Sequence, residues 1–433
     1  MDGASYASVE EALKAAAGAP IRLRGWLHRT RSSGGIVFSV LRDGTAIIQV
    51  TVKKGAVPDA EFESAQKALI ESSVEVEGTV HNDARAPGGK EVRASAFRVV
   101  AFAENFPITG KETDETLLDI RHLWLRSREM ASTMKVRATI LDLLREFYDG
   151  QGYTEVHCPT FVSGQTEGGS TLFRVPYFDD EVFLTQSSQL YLETMIFSLG
   201  KVYTLQPSFR AEKSRTRRHL TEYWHFEVEA AWYSNDEMMA EEEKMLAFLA
   251  RQVVEKHPQE LAALKRDPGK LKNIEPPFPR IRYEEAIELA NKRGLHLKYG
   301  DDFGYEEEKV LTEGFEKPFF ITHFPKEVKA FYHRPDPAGP KTVLNHDLLA
   351  PEGYGEVIGG GERIWELQVL LDRIKEANLE EEDYKWYVDL RRYGSVPHAG
   401  YGLGVDRLVM YFLGLEHIKW SLPYPRMMRR VYP

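Results

Sequence analysis

Arg210 and Glu212 stand two residues apart in Phe209-Arg210-Ala211-Glu212, at the end of an apolar, alternating run. On a strand that spacing puts both side chains on one face, where one can hold an anion and the other can accept from a donor. The residues that follow are cationic: Lys213, Arg215, Arg217, Arg218 and His219. Such a loop suits something polyanionic, because a plain surface hairpin usually mixes its charges. Another arginine, Arg407, lies where the glycine-rich run Gly400-Tyr401-Gly402-Leu403-Gly404 meets an apolar helix, a junction that favours anions. The glycines allow close approach of the backbone to a ligand. Glu356 and Arg363 flank a further Gly359-Gly360-Gly361, Glu167 sits in a glycine-containing loop, and Ser187 and Gln189 mark a strand-to-helix junction. No Walker loop occurs. Gly402-Leu403-Gly404 has neither the third glycine nor the β-α-β context of a dinucleotide fingerprint.

The elements that must position these groups follow from periodicity. Residues 202–210 and 223–232 read as an antiparallel pair around the cationic loop. A helix over 127–148, with Val136, Ile140, Leu144 and Phe147 on one stripe, leads to a strand over 153–158 that ends at Pro159. Residues 235–330 carry helical segments, such as 236–256, whose charges read as solvated faces. Ahead of all this, a short amphipathic helix over 1–20 precedes five short strands, at 21–28, 36–41, 46–52, 74–80 and 91–102. A helical interruption at 59–72 completes the pattern of a Greek-key OB-fold barrel. Between residues 22 and 54 there are seven Lys/Arg against the single acid Asp43. Phe38 and Gln49 lie among them with Arg31, and such a face can stack on and hydrogen-bond to single-stranded nucleotides. The expected class is α+β: an OB-fold barrel at 1–103, a hinge at 104–116, and an antiparallel sheet flanked by helices at 117–433.

Composition sets the outer limits. The chain has 433 residues, 42% hydrophobic and 28% charged, with a net charge of −10. That balance argues against indiscriminate nucleic-acid binding but not against a local basic face. No apolar run approaches the roughly 18–20 residues of a membrane span, and no leader is evident. The lone Cys158 excludes an internal disulfide and a thiolate-cluster metal site. A cytoplasmic setting is expected.

Three segments, in order, resemble the three motifs of class II aminoacyl-tRNA synthetases: the helix and strand ending at Pro159, the Phe209-Arg210-Ala211-Glu212 hairpin, and Gly402-Leu403-Gly404-Val405-Asp406-Arg407. The leading barrel, with Gly25-Trp26 and Leu41-Arg42-Asp43, is similar to the anticodon-binding domain of the aspartyl, asparaginyl and lysyl subgroup. The resemblance implies ATP as a substrate, Mg²⁺, a homodimer, and catalysis by positioning and charge neutralisation rather than by a protein nucleophile. It implies that Arg210 bridges the α-phosphate and the substrate carboxylate, Glu212 accepts from the adenine amino group and Tyr223 stacks on the adenine. Arg218, His219 and Arg407 would hold the outer phosphates, with Leu220, Gly402 and Gly404 around the nucleotide. Arg210, Arg407 and Glu356 would be the catalytic set and Glu356 the metal ligand. Gly359 replaces a serine of the archaeal-type aspartyl pattern that assists at the metal. Glu167 and Gln189 would take the α-amino group, with Ser187 beside them.

Within the subgroup, Arg363 matches the arginine that meets the substrate's side-chain oxygen. The aspartyl pattern has a lysine where this chain has Leu192, and an Asp where it has Glu227. A carboxylate substrate would lose a cation and face an acid, whereas Glu227 can accept from an amide NH₂. The resemblance therefore implies L-asparagine as substrate and tRNA(Asn) as acceptor, with Phe38, Gln49 and Arg31 on the anticodon. The alternatives are aspartate, or a tRNA-independent amide-forming relative, which would lack the barrel. A lysine pocket would not tolerate Arg363.

Overall fold

The computed structural model describes residues 5–164, 172–214 and 216–433. The chain divides into two compact units, residues 1–114 and 115–433. In the first, β1 (Pro20–Ser33), β2 (Ile36–Arg42), β3 (Ile47–Lys53), β4 (Ser73–Asn82) and β5 (Lys90–Ala101) close a barrel in the order β1-β2-β3-β5-β4. Period-2 patterning explains the closure. Val37 and Leu41 on β2 and Ile48, Val50 and Val52 on β3 point inward and meet Val74, Val76 and Val80. The expected helix over 1–20 shortens to α1 (Val9–Lys14), which begins at a Ser8–Glu11 capping box. Gly18, at φ +87°, and Pro20 take the chain into β1. Helix α2 (Asp59–Lys67) links β3 to β4.

The second unit is built on an eight-stranded sheet. Its strands are β6 (Thr154–Glu155), β7 (Lys201–Phe209), β8 (Glu222–Ala231), β9 (Arg280–Arg282), β10 (Phe319–Thr322), β11 (Asn345–Ala350), β12 (Gly355–Glu362) and β13 (His398–Gly404). The order is β9-β10-β11-β12-β13-β8-β7-β6. The inner pairings are antiparallel, and only the two outermost, β9 with β10 and β6 with β7, are parallel. The strand expected over 153–158 is shorter than its pattern, because beyond Glu155 Val156 adds a backbone bond to the Tyr203 carbonyl, whereas the Cys158 amide turns to the Gln206 side chain before Pro159.

Strand alternation splits this sheet into an apolar and a polar face. Phe226 and Val228 on β8, Ala399, Tyr401 and Leu403 on β13, and Leu348 on β11 are buried against three helices. These are α3 (Arg128–Gly150), α5 (Asn235–Lys256) and α8 (Val405–Leu413). Each such fully buried large side chain contributes about 1.5–3 kcal/mol. Helix α4 (Gln189–Leu199), α6 (Tyr305–Thr312) and α7 (Lys385–Arg392) supply residues used below. The reading of 235–330 as solvated charge is corrected here. Glu241, Glu242 and Glu243 on α5 are all buried. Tyr153 and Tyr233 donate to Glu241, His346 Nε2 meets Glu242 at 2.7 Å, and the Phe278 amide donates to Glu243. A run of three glutamates looks like a surface, yet each has a partner far away in sequence.

Candidate active site

The polar face of the sheet is floored with glycine. Opposite neighbours in an antiparallel ladder share a face, so Glu227, Gly402, Gly359 and Asp347 form one row across four strands. The next row holds Glu229, Gly400, Gly361 and Asn345. The β8 side chains His225, Glu227 and Glu229 lie over these glycines. A Cβ on Gly402 would stand 2.5 Å from His225 Nε2, and one on Gly361 2.8 Å from His333 Nδ1. The glycines are needed as much by neighbouring side chains as by any ligand. Above them opens a cavity of about 1010 Å³, and among its lining are Ser187, Gln189, Leu220, Glu227, Arg363, Gly402 and Gly404.

At one end of the cavity the ionisable groups are already paired. Glu227 accepts from the Ser187 hydroxyl and from the Ser188 amide, at 2.9 Å, where α4 begins. An acid at a helix N-terminus gains from the exposed amides and the helix dipole. Arg363 donates its Nε and one terminal nitrogen to Glu229, at 3.0 and 2.6 Å, with both residues buried. Burial works against the guanidinium charge, but Glu229 outweighs it and pushes Arg363 up. Gln189 donates to Glu193 one helical turn away, at 3.1 Å. Glu193 also accepts from Tyr387 and Arg391 on α7, each at 2.7 Å, and faces His398 Nε2 at 2.9 Å. Burial opposes its ionisation, yet Arg391 and His398 hold its carboxyl well below the usual range. The other nitrogen of His398 meets the Val396 carbonyl. Both ring nitrogens thus face acceptors, which fixes the ring in place. Glu193, Glu229, Arg391 and His398 carry no motif signal and were not among the expected residues.

Leu192 needs correction. It does not line the cavity; fully buried, it packs with Ile196 and Val202, filling space beneath α4 instead of facing a ligand.

The other end gathers Arg210, Arg218, Arg407 and Lys329, the last three each paired with an acid. Strand β7 ends at Phe209, so Arg210 and Glu212 lie just beyond it and not on a strand. Arg210 lines the cavity with its guanidinium over the Tyr223 ring, 5.6 Å from the centroid. Glu212 is exposed, 3.8 Å from His219 Nε2, and is not in the lining. Arg407 donates to the Glu356 carboxylate at 3.0 Å and to its carbonyl at 3.1 Å. Burial would raise the Glu356 carboxyl, but Arg407, Lys329, Arg218 and Arg210 together hold it at about 2. Arg218 is buried and pairs with Glu308 of α6. His219 is pulled down to about 4 by burial and by Arg407, Arg218 and Arg210. At neutral pH it offers a hydrogen bond, not a charge.

Asp347, unmarked by any motif, faces Gly359 across the sheet and is held by Lys329 at 2.6 and 2.8 Å. Burial and the neighbouring Glu356 charge push its carboxyl up to about 6, with Lys329 pulling the other way. Two neighbouring carboxylates beside a glycine, one of them raised by the charge of the other, are a donor set suited to a hard cation.

In the barrel, Phe38 lies on the outer face, with Arg31 4.9 Å over its ring. Gln49 donates to Glu91 at 3.1 Å, and Thr51 and Arg93 donate to the same carboxylate. Glu91 on β5 was missed because nothing local distinguishes it. Part of the basic surplus is internally paired: Arg22 with Glu77 and Arg42 with Glu71. Glu167 and Arg215 lie outside the described residues.

Comparison with known proteins places this geometry among relatives. The family described as tRNA synthetases class II (D, K and N) matches residues 113–428, and the OB-fold nucleic acid binding domain family matches 21–100. The chain is 53% identical to asparagine–tRNA ligase of Thermoplasma acidophilum, over 98% of this chain and 99% of that one. It is similar to the crystal structure of asparaginyl-tRNA synthetase from Pyrococcus horikoshii complexed with asparaginyl-adenylate: TM-score 0.96, 47% identity, 99% and 100% of the two chains covered. The Entamoeba histolytica asparaginyl-tRNA synthetase in complex with asparaginyl-adenylate gives a TM-score of 0.88 at 32% identity, covering 97% of this chain and 98% of that one.

Proposed function

Because the chain belongs to the class II tRNA synthetases of the aspartate, lysine and asparagine group, we propose that it activates L-asparagine with ATP and transfers it to the 3′ end of tRNA(Asn). The asparagine carboxylate attacks the α-phosphorus, the bond to the β-phosphate oxygen breaks, and pyrophosphate leaves. A ribose hydroxyl of the tRNA then attacks the acyl carbon and AMP departs. Arg210, which lines the cavity over the Tyr223 ring, would meet both the α-phosphate and the substrate carboxylate. Arg407 and Arg218 neutralise the outer phosphates, and Tyr223 offers a ring for the adenine. Glu356, with Asp347, would hold Mg²⁺, which when bound neutralises charge on the leaving pyrophosphate. Gln189 orients the α-amino group, with Glu167 expected to help.

The observation that carries the choice of amino acid is the pairing around Glu227 and Arg363. Glu229 occupies one edge of Arg363, leaving its remaining nitrogen to donate to a single oxygen. Glu227 accepts from Ser187 and Ser188 and has His225 Nδ1 3.4 Å away, and of the about four lone-pair sites of a carboxylate it keeps capacity for one further donor. One oxygen and one NH₂ are what a carboxamide presents. An aspartate side chain would set its second oxygen against Glu227. Gln49, with its amide nitrogen on Glu91, has its carbonyl oxygen left for a base donor such as uridine N3–H, and Phe38 offers a ring to stack on. No helix among the described residues is long and apolar enough to cross a membrane. A cytoplasmic homodimer, with residues 1–103 on the anticodon and 117–433 carrying the chemistry, belongs to the same reading. The test is charging of tRNA(Asn) and tRNA(Asp) with each amino acid. Asparaginyl-tRNA(Asn) is expected, and formation of aspartyl-tRNA in its place contradicts the proposal.

A further inference from the structure

We propose that Glu308, on helix α6 outside the sheet, is a positioning residue that fixes Arg218 and the backbone of Glu356 relative to one another before the nucleotide binds. This rests on reading the cationic end of the cavity as the triphosphate site. Glu308 is buried, and one of its carboxylate oxygens does two jobs. It accepts from a terminal nitrogen of Arg218 and, at 2.5 Å, from the amide of Glu356. A single atom thereby ties the cationic loop to the strand that carries the acid of the site. Tyr305, three residues earlier on α6, places its ring 5.2 Å beneath the same guanidinium. Thr312, the last residue of α6, accepts from the Gly353 amide at 3.1 Å, so the helix is held at its middle to β12 and at its end to the segment before it.

Two further facts point to a ligand-directed role and not to plain packing. Arg218 is buried, yet its Nε has no hydrogen-bond partner among the described residues, and the residue lines the cavity. An unmet donor on a buried cation is costly unless something else satisfies it. Glu308 takes one terminal nitrogen, and the guanidinium, with a donor still unmet, lines the cavity where an oxyanion would bind. Gly355 is the second fact. Its φ is +71°, and a Cβ there would collide with both Arg218 and Glu308. The chain gives up a side chain at that position so that the arginine, the acid and the Glu356 amide can converge.

The test uses the full chain in asparagine-driven ATP–pyrophosphate exchange, with ATP varied at saturating asparagine and then the reverse, and thermal melting as a check on folding. Glu308→Gln is expected to raise KM for ATP about tenfold while KM for asparagine stays within about twofold. In an Arg218→Ala background the same change is expected to add less than about twofold, because the two residues act as a unit. Glu308→Asp keeps the charge but shortens the reach, and the same split is expected should the glutamine variant fail to fold. An unchanged KM for ATP, an equal rise for both substrates, or full additivity with Arg218→Ala would overturn the proposal. Absence of asparagine-driven exchange in the unmodified protein would instead count against the functional reading above.

Discussion

The two ends of the cavity solve opposite problems with the same residue types. At the end that the proposed reading gives to the amino-acid side chain, Glu227 and Arg363 line the cavity, and behind them Glu193 and Glu229 are set against Arg391, His398 and Arg363. The Glu193–Arg391 pair is wholly buried. Charge there is balanced and hydrogen bonds hold the groups in place, so a ligand must match a pattern that already exists. At the end that the proposed reading gives to the phosphates, Arg218, Arg407 and Lys329 are set against Glu308, Glu356 and Asp347, Arg210 lines the cavity beside them, and Arg407 keeps 19% of its side chain exposed. Clustered guanidinium groups that keep some access would, in that reading, give affinity for a polyanion without demanding a shape. In the proposed reading, selectivity would come from the buried end and rate from the more accessible one.

Paired substitutions test that contrast most strongly. Arg407→Ala is expected to cut pyrophosphate exchange about 10³-fold. Denaturant unfolding of the same variant should show stability changed by less than about 1 kcal/mol, because its pair is partly exposed. Arg391→Ala should do the reverse in stability, costing about 3–5 kcal/mol by leaving Glu193 buried without its main counter-ion. If the two variants lost stability equally, the contrast would be gone. Glu227→Gln is a smaller change: asparagine kcat/KM should fall about 10²-fold and selectivity over aspartate should narrow. Smaller again, Gln49→Ala should lower tRNA(Asn) charging about tenfold with exchange unaltered. An equal loss in both assays would remove the barrel from tRNA reading.

The smallest effect concerns His219. With its pKa near 4 against an ordinary 6.5, the ring stays neutral from pH 7.5 to 5.5. KM for ATP should therefore show no His219-dependent transition in that range when the protein is compared with His219→Asn. The sign for stability is fixed by the depressed pKa: between 6.5 and about 4 the unfolded chain binds a proton that the folded chain refuses. Stability should fall on acidification through that window, and less so in the asparagine variant. A KM that drops near pH 6.5 would mean the ring acts as a cation.

What could be read from the sequence was local. The alternation in His398-Ala399-Gly400-Tyr401-Gly402-Leu403-Gly404 announces a strand with one apolar and one bare face, and the structure buries Tyr401 and Leu403 against helices. The OB-fold pattern and the antiparallel hairpin were legible for the same reason. What stayed hidden depends on partners distant in the chain. Glu193 looks like any helix-surface glutamate, and its partners Arg391 and His398 lie 198 and 205 residues away. Glu308 sits in a stretch of acids at the start of α6 that reads as solvent-facing. Leu192 was drawn toward the ligand by analogy of position, whereas helix geometry turns it inward. Motif spacing finds groups that act together in sequence; it does not find the groups that hold them still.

The most direct measurement is the ratio of kcat/KM for asparagine to that for aspartate in ATP–pyrophosphate exchange, without tRNA, on the unmodified chain. A balanced pocket with Glu227 facing the substrate predicts a preference for asparagine of about 10⁴-fold. Equal use of the two, or a preference for aspartate, would contradict the claim that paired charges around Glu227 and Arg363 select a neutral carboxamide.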